Sequence, residues 1–373
     1  MSVFGYLVFI LFLFHPYNCH CQQVSGDPLI KKWSESSHLK RPSHFVLTTW
    51  NFGGATQAAY NFLTQRNGSA IDAVVEGCGY CEREQCDFTV GYGGSPDENG
   101  ETTLEAMVFD GVSMDIGAVG GLKRIKNAIG VARAVLLHSG HSILVGDAAT
   151  EFAKHMGFKE ETLSTNNSVN QWIQWMNDKC QPNFWERVVP DPEKSCGPYR
   201  PLDVYNTKSN VNTQPPLEGY RIQSHKNKFH HDTIGQIVID KTGAIVAGTS
   251  SNGAMHKIPG RIGDAAVPGA GSYADARYGA AVSTGDGDIM MRFSPSAAVV
   301  EKLKQKMSPE KATWQVIQSI REKYPDYNGA ILAVNAAGSF AAACHGFEAF
   351  PFTVSSSDID GGRVKKFYIM CSS

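Results

Sequence analysis

The chain has 373 residues, 42% of them hydrophobic and 19% charged, with a formal net charge of −2. That length supports a large core in one or two domains. The near-neutral balance, with Lys and Arg scattered along the chain, excludes a global field aimed at nucleic acid or an anionic membrane. Residues 3–14, VFGYLVFILFLF, form an uncharged apolar run. It is short for a membrane span and fits the apolar core of a secretory signal, although the charged segment that usually precedes one is missing. Cleavage near Cys21 is expected to remove residues 1–21. No later stretch is long and apolar enough to span a bilayer, so a soluble mature protein is expected.

In chain order, HFVLTTW (44–50) reads as a strand. ATQAAYNFLTQR and AIDAVVEGCGYCE read as helices split by Asn67-Gly68. TLEAMVFDG and VSMDIGAVG (103–120) suggest a hairpin turning at Asp110-Gly111. GLKRIKNAIGVARAVLLH (121–138) has the clearest helical period. ILVG and AATEFAKHM add a strand and a helix. From about Lys179 to Lys228 the chain carries many Pro, Asn and Lys residues and no sustained period. A loop of that length calls for a functional or processing reason. Order resumes at Thr233. TIGQIVID and AIVAGTS pair across Lys241-Thr242-Gly243, followed by a Gly-rich stretch (251–288). DIMMRF reads as a strand, PSAAVVEKLKQKM and SPEKATWQVIQSIREKY as helices, and GAILAVN, SFAAACHG and KKFYIMC as closing strands. Strands in adjacent pairs, with helices before and after them, favour two stacked antiparallel-rich sheets covered by helices.

Without Cys19 and Cys21, seven cysteines remain. Local spacing groups six as Cys81–Cys86, Cys180–Cys196 and Cys344–Cys371, and the odd count leaves a free thiol or an external partner. Cys78-x-x-Cys81 lacks the second pair a zinc site needs, and an oxidising compartment favours disulfides. No metal site is expected. Sequons at Asn67 and Asn166 are candidate glycan sites on exposed loops. GAGSYA (269–274) matches a dinucleotide-binding fingerprint only in its glycines, with no strong strand before it. No cofactor is expected.

FHHDTIGQIVI (229–239) is the informative stretch. By spacing alone, Thr233 starts an ordinary strand after an ordinary loop. Alternatively the chain is cut between Asp232 and Thr233, and the new end is reactive. An N-terminal threonine carries its own base, because an α-amine with a pKa of about 7.7–8.0 is partly neutral near pH 7. The β-branch restricts the hydroxyl's direction. The same hydroxyl could cut the chain by attacking the Asp232 carbonyl, with Asp232 assisting as acid or base.

Several long motifs decide between these. HDTIGQIVID, GTSSNG, KIPGRIGDAAVPGAGSYAD and STGDGDIMMRF, preceded by CEREQCD, GYGGSPDE, GETTLEAM, DIGAVG, RIKNAIGVAR and CQPNFW, together resemble the glycosylasparaginases, which are N-terminal-nucleophile hydrolases. The likeness covers nearly all of the mature chain. It implies an α+β fold, a four-layer αββα sandwich. It also implies self-cleavage into an alpha subunit (22–232) and a beta subunit (233–373), assembled as a dimer of such pairs, and delivery to the lysosome, with export as the alternative.

The resemblance further implies attack by Thr233 on the side-chain amide of a glycosylated asparagine. Arg261 would clamp the substrate α-carboxylate with its guanidinium fork, and Asp264 would meet the α-ammonium. Thr284 and the Gly285 N–H would form the oxyanion hole. Ile262, Gly263, Asp286 and Gly287 complete these two loops. Ser251 stands where the family usually has threonine, and its hydroxyl would hydrogen-bond the nucleophile. Trp50 would wall the pocket. Departures from the family pattern are His230 in place of a glycine, Thr89 in place of a serine, and Trp314 and Ala333 where one disulfide is usual; Cys78 is left free. Two rivals remain: a β-aspartyl peptidase or plant-type asparaginase, and a non-enzymatic secreted protein on the same scaffold.

Overall fold

The computed structural model describes residues 42–202 and 233–372. The expected signal segment, Asp232, His230 and the second half of the long loop lie outside them. The first half of the chain gives β1 (Phe45–Thr49), α1 (Gly53–Gln65), α2 (Ala70–Glu84), β2 (Leu104–Asp110), β3 (Ile116–Leu122), α3 (Ala128–His138), β4 (Ile143–Val145), α4 (Gly146–His155) and α5 (Asn166–Asn177). Two short strands follow, β5 (Val188–Val189) and β6 (Arg200–Pro201). The second half gives β7 (Ile234–Ile239), β8 (Ile245–Ser251), β9 (Ser272–Asp275), β10 (Gly279–Gly285), α6 (Gly287–Met290), α7 (Pro295–Lys304), α8 (Pro309–Arg321), β11 (Gly329–Asn335), β12 (Phe340–His345), β13 (Ala349–Ser356) and β14 (Lys365–Met370).

An eight-stranded sheet runs β14-β13-β1-β7-β8-β2-β3-β4, and a four-stranded sheet runs β12-β11-β10-β9. Only the β3–β4 pairing in these two sheets is parallel. Alternation along each strand builds the layers. Phe45, Leu47, Ile237, Ile239, Ile245 and Ala247 point into the core between the sheets, where they meet Ala280, Val282, Ala330 and Leu332. Val46, Ile234, Val238 and Val246 point the other way, onto Ala59, Leu63, Val74 and Ile129 of the helices. On the far face of the small sheet, Ala281 and Ile331 pack against Val299, Leu303 and Ile317 of α7 and α8. The architecture is the four-layer αββα sandwich. Disulfides join Cys81–Cys86, Cys180–Cys196 and Cys344–Cys371, and Cys78 is a buried free thiol.

Several elements differ from the sequence reading. The helix expected over 121–138 begins only at Ala128. β3 runs through Leu122, Gly121 and Arg124 take φ of 60° and 56°, and the Asn127 side chain caps the helix by accepting the Gly130 N–H at 2.9 Å. DIMMRF is not a strand. Asp286 caps the short α6 there by accepting the Ile289 N–H, and Met291 and Phe293 continue in turns. The Gly-rich stretch contains β9 and β10. The sequence reading has no strand at β13. Pro351 interrupts its pattern, yet it lies one residue beyond Phe352, the last partner of β1. The reading also has no helix at α5, which starts from a reciprocal cap between Thr165 and Ser168. Asn166 is therefore in a helix's first turn rather than on a loop, and it is exposed there; Asn67 is exposed between α1 and α2.

One buried acid in α2 makes stability depend on pH. Glu82 is 1% exposed. Its Oε1 accepts from the Ser250 hydroxyl at 2.6 Å and the Ile129 N–H at 2.9 Å, while Oε2 has no hydrogen-bond partner among the described residues. Burial pushes its pKa from 4.5 up to about 7, against the pull of those donors. The folded state therefore keeps a proton that the unfolded chain releases. The stabilisation is complete below about pH 4.5 and is lost as pH rises to about 7, a difference of about 3 kcal/mol. Glu82→Gln is expected to raise the apparent Tm at pH 8 by about 5 °C and to leave it little changed at pH 4.5, in thermal scans at fixed rate. An equal shift at both pH values would refute this account.

Candidate active site

The N-terminal end of β7 meets the C-terminal end of β10 in the gap between the sheets. Thr233 immediately precedes β7 and is 4% exposed. By alternation it shares the inter-sheet face with Ile237 and Ile239. Its backbone nitrogen donates to Thr284 Oγ1 at 3.0 Å, and the Trp50 indole N–H donates to the same oxygen at 3.0 Å. The Thr49 hydroxyl donates to the Thr233 carbonyl and accepts the Gly235 N–H, both at 2.9 Å. The residue carrying the candidate nucleophile is thus fixed on both sides of its Cα. Trp50 takes a φ of 58° at the end of β1 and packs edge-on against Phe350 and Phe347, with ring centroids 4.6 and 5.5 Å away. Gly285 follows Thr284 with φ of 119°, and a Cβ there would lie 2.4 Å from the Asn328 carbonyl oxygen. Only glycine accommodates this conformation and this close approach at the end of β10.

The register Ile234↔Ser250 places Ser251 across from Thr233, and Glu105↔Ser251 continues the same row onto β2. Beyond that row lies a charged cluster. Arg261, 15% exposed in its side chain, donates from Nε and Nη2 to Asp288 Oδ2 at 3.2 and 2.9 Å. Its Nη1 lies 3.6 Å from Glu105 Oε1, and Glu105 Oε2 accepts the Gly263 N–H at 2.8 Å. Lys257 is buried, donates from Nζ to the carbonyls of Asn252 (2.9 Å) and Ser95 (3.2 Å), and is lowered by burial to a pKa of about 8. Asp264, 2% exposed, accepts from the Ser283 hydroxyl at 3.2 Å. Burial pushes its pKa up to about 7 even though Arg261 pulls it down. Burial also raises Asp286. A guanidinium and a buried carboxylate therefore stand close together, and their charges complement those of a free amino acid's head.

Of the residues singled out from sequence, Thr233, Thr284, Gly285 and Trp50 converge on one point, and Arg261, Ile262, Gly263, Asp264, Asp286 and Gly287 line the adjoining loops. The Trp50 indole N–H donates to Thr284 Oγ1, a contact that is not among the sequence expectations. Ser251 sits beside Thr233, but its hydroxyl accepts the Gly253 N–H at 2.9 Å. The Thr89 hydroxyl donates to Asp87. Four site residues have no place in the sequence reading: Thr49, Glu105, Lys257 and Asp288. The signal for Glu105 was present, as an acid inside the apolar strand LEAMVFD. The signal for Asp288 was hidden because its segment reads as a strand.

A family model described as asparaginase matches residues 34–361. The Rattus norvegicus protein named N(4)-(beta-N-acetylglucosaminyl)-L-asparaginase is 49% identical over 337 residues, 90% of this chain and 92% of its own. The Mus musculus protein of the same name is 50% identical over 337 residues, with the same shares. A chain from Drosophila melanogaster is 51% identical over 334 residues, 87% of this chain and 82% of its own.

Proposed function

The chain belongs to the asparaginase family, and from that premise we propose that it hydrolyses the amide joining N-acetylglucosamine to the side chain of free asparagine, using Thr233 as an N-terminal nucleophile. The rat and mouse relatives carry that activity in their names. The observation that carries the reading is the Thr233 nitrogen, buried at the mouth of the inter-sheet gap and 3.0 Å from the Thr284 hydroxyl.

Cleavage of the Asp232–Thr233 bond turns that nitrogen from an amide, which is not a base, into an amine. Thr233 Oγ then attacks the carbonyl carbon of the asparagine side chain. The amine takes the hydroxyl proton and passes it to the departing glycosylamine. Negative charge on the carbonyl oxygen is met by the Thr284 hydroxyl and the Gly285 N–H. Water, deprotonated by the same amine, opens the resulting β-aspartyl ester and releases aspartate. Arg261 receives the α-carboxylate and Asp264 the α-ammonium, so an asparagine still inside a peptide is refused. Asp264 must be ionised for this, and the arriving cation offsets the burial that raises its pKa. Ser251, across from the nucleophile in the sheet register, is assigned the role of orienting it. No step calls for a metal or a cofactor.

The same reading includes removal of residues 1–21, subunits 22–232 and 233–373, a dimer of these pairs, and entry into the secretory route with the lysosome as destination. The test is N-terminal sequencing and mass measurement of secreted protein, alongside release of glycosylamine from glycosylasparagine. A fragment beginning TIGQIV in the active material supports the proposal. Full activity in a chain continuous through Asp232-Thr233 overturns it.

A further inference from the structure

We infer that Glu105 is a positioning residue: together with Asp288 it holds the Arg261 guanidinium away from Asp264, so that both ends of the amino-acid clamp stay open for the substrate. This rests on the clamp assigned to Arg261 and Asp264 above.

A site that binds a zwitterion with one cation and one anion has an inherent weakness. The two groups attract each other, and when they pair, the site closes on itself. Here they are neighbours: a methyl added to Gly287 would lie 2.7 Å from Asp264 Oδ1 and 3.1 Å from Arg261 Nη2. Yet no cation is ion-paired with Asp264 among the described residues; its side-chain hydrogen-bond partner is the Ser283 hydroxyl. The guanidinium is engaged elsewhere. Asp288 takes the Nε–Nη2 edge, and Glu105 Oε1 faces Nη1 at 3.6 Å. Nη1 makes no hydrogen bond among the described residues, so the Nη1–Nη2 end of the fork is the one left for a carboxylate.

The two acids differ in kind. The Asp288 side chain is 42% exposed, whereas that of Glu105 is 1% exposed and cannot turn out to water. Glu105 Oε2 is pinned by the Gly263 N–H, one residue before Asp264. The same carboxylate thus sets the guanidinium tip and the backbone that carries the opposing charge. Among the described residues its Oε1 is buried with no hydrogen bond and has only the ionic contact to Arg261. Burial raises the Glu105 pKa, and the Arg261 guanidinium, the Gly263 N–H and the buried Lys257 ammonium, which donates to backbone carbonyls, pull it back toward the ionised form.

The experiment is Glu105→Gln, which keeps an acceptor for Gly263 but loses the charge, with Asp288→Asn as the second variant. Each is assayed on glycosylasparagine and on its α-carboxamide analogue, which lacks the carboxylate. The native protein is expected to prefer the carboxylate by about 100-fold in kcat/KM. In Glu105→Gln the KM for glycosylasparagine should rise about 10-fold, with kcat within about 3-fold, and the preference over the carboxamide should shrink by about 10-fold. Simple loosening of the fold would slow both substrates alike, and an unchanged preference in processed Glu105→Gln overturns the inference. If that variant does not fold, Asp288→Asn decides, since its site is partly exposed, and an unchanged preference there also overturns it. If the native protein turns over neither substrate, the functional reading fails separately. Calorimetry with L-aspartate then tests the clamp: about 10-fold weaker binding to Glu105→Gln supports the inference, and equal binding refutes it.

Discussion

A chain carrying Thr233→Ala is expected to remain a single polypeptide through residue 233 and to lose about 10⁵-fold or more in turnover of glycosylasparagine. Both losses would have one origin, because in the proposed mechanism the same hydroxyl opens the chain and attacks the substrate. The fold should survive, since the contacts that anchor this residue use its backbone: the nitrogen bonds to Thr284 and the carbonyl to the Thr49 hydroxyl. Thr233→Ser keeps the hydroxyl and loses the branch that steers it, so it should cut and turn over, more slowly. Gel mobility and glycosylamine release read the two effects separately. Turnover by the alanine variant within tenfold of native would end the nucleophile assignment.

The second large effect is expected at Arg261. Arg261→Ala removes the nearest counter-charge of a carboxylate that is 1% exposed, leaving Glu105 held by the Gly263 N–H and the more distant Lys257. Breaking a buried ion pair from one side costs about 3–5 kcal/mol. The substrate also loses a bidentate contact, so kcat/KM should fall about 10³-fold. Arg261→Lys separates the two consequences. It restores a positive charge beside Glu105 and should recover most of the thermal stability, but an ammonium lacks the planar fork and should recover little of kcat/KM. If the lysine variant is as active as native, Arg261 acts as a charge and not as a fork.

The sequence disclosed the site unevenly. Thr233 and its neighbours were legible because a strand pattern, IGQIVI, starts abruptly after a long polar segment, and because the motifs bearing Arg261 and Thr284 resemble one family in order. Strands with bulky alternation, such as FVLTT and GAILAVN, also declared themselves. β10 did not. Its sequence GAAVSTG has small residues where strands usually carry branched ones, and it is a strand because it lies between β9 and β11, packed on the large sheet. Tertiary context overrides a weak local preference there. Glu105 was visible as an acid in an apolar run, but 158 residues separate it from Gly263, and no local pattern pairs them. α5 was hidden by its asparagines, which favour caps and turns over helix interiors, until the Thr165–Ser168 cap is seen to start it.

The order of strands in the large sheet has a consequence for a molecule cut before Thr233. Across that sheet, β14 and β13 belong to the later piece, β1 to the earlier, β7 and β8 to the later, and β2, β3 and β4 to the earlier. The two pieces are interleaved like the fingers of clasped hands, with β1 gripped on both edges by strands of the other piece. None of the three disulfides bridges them. What keeps the halves in one body is the weave itself, and neither half can leave without unravelling the middle of the sheet that holds the reactive end in place.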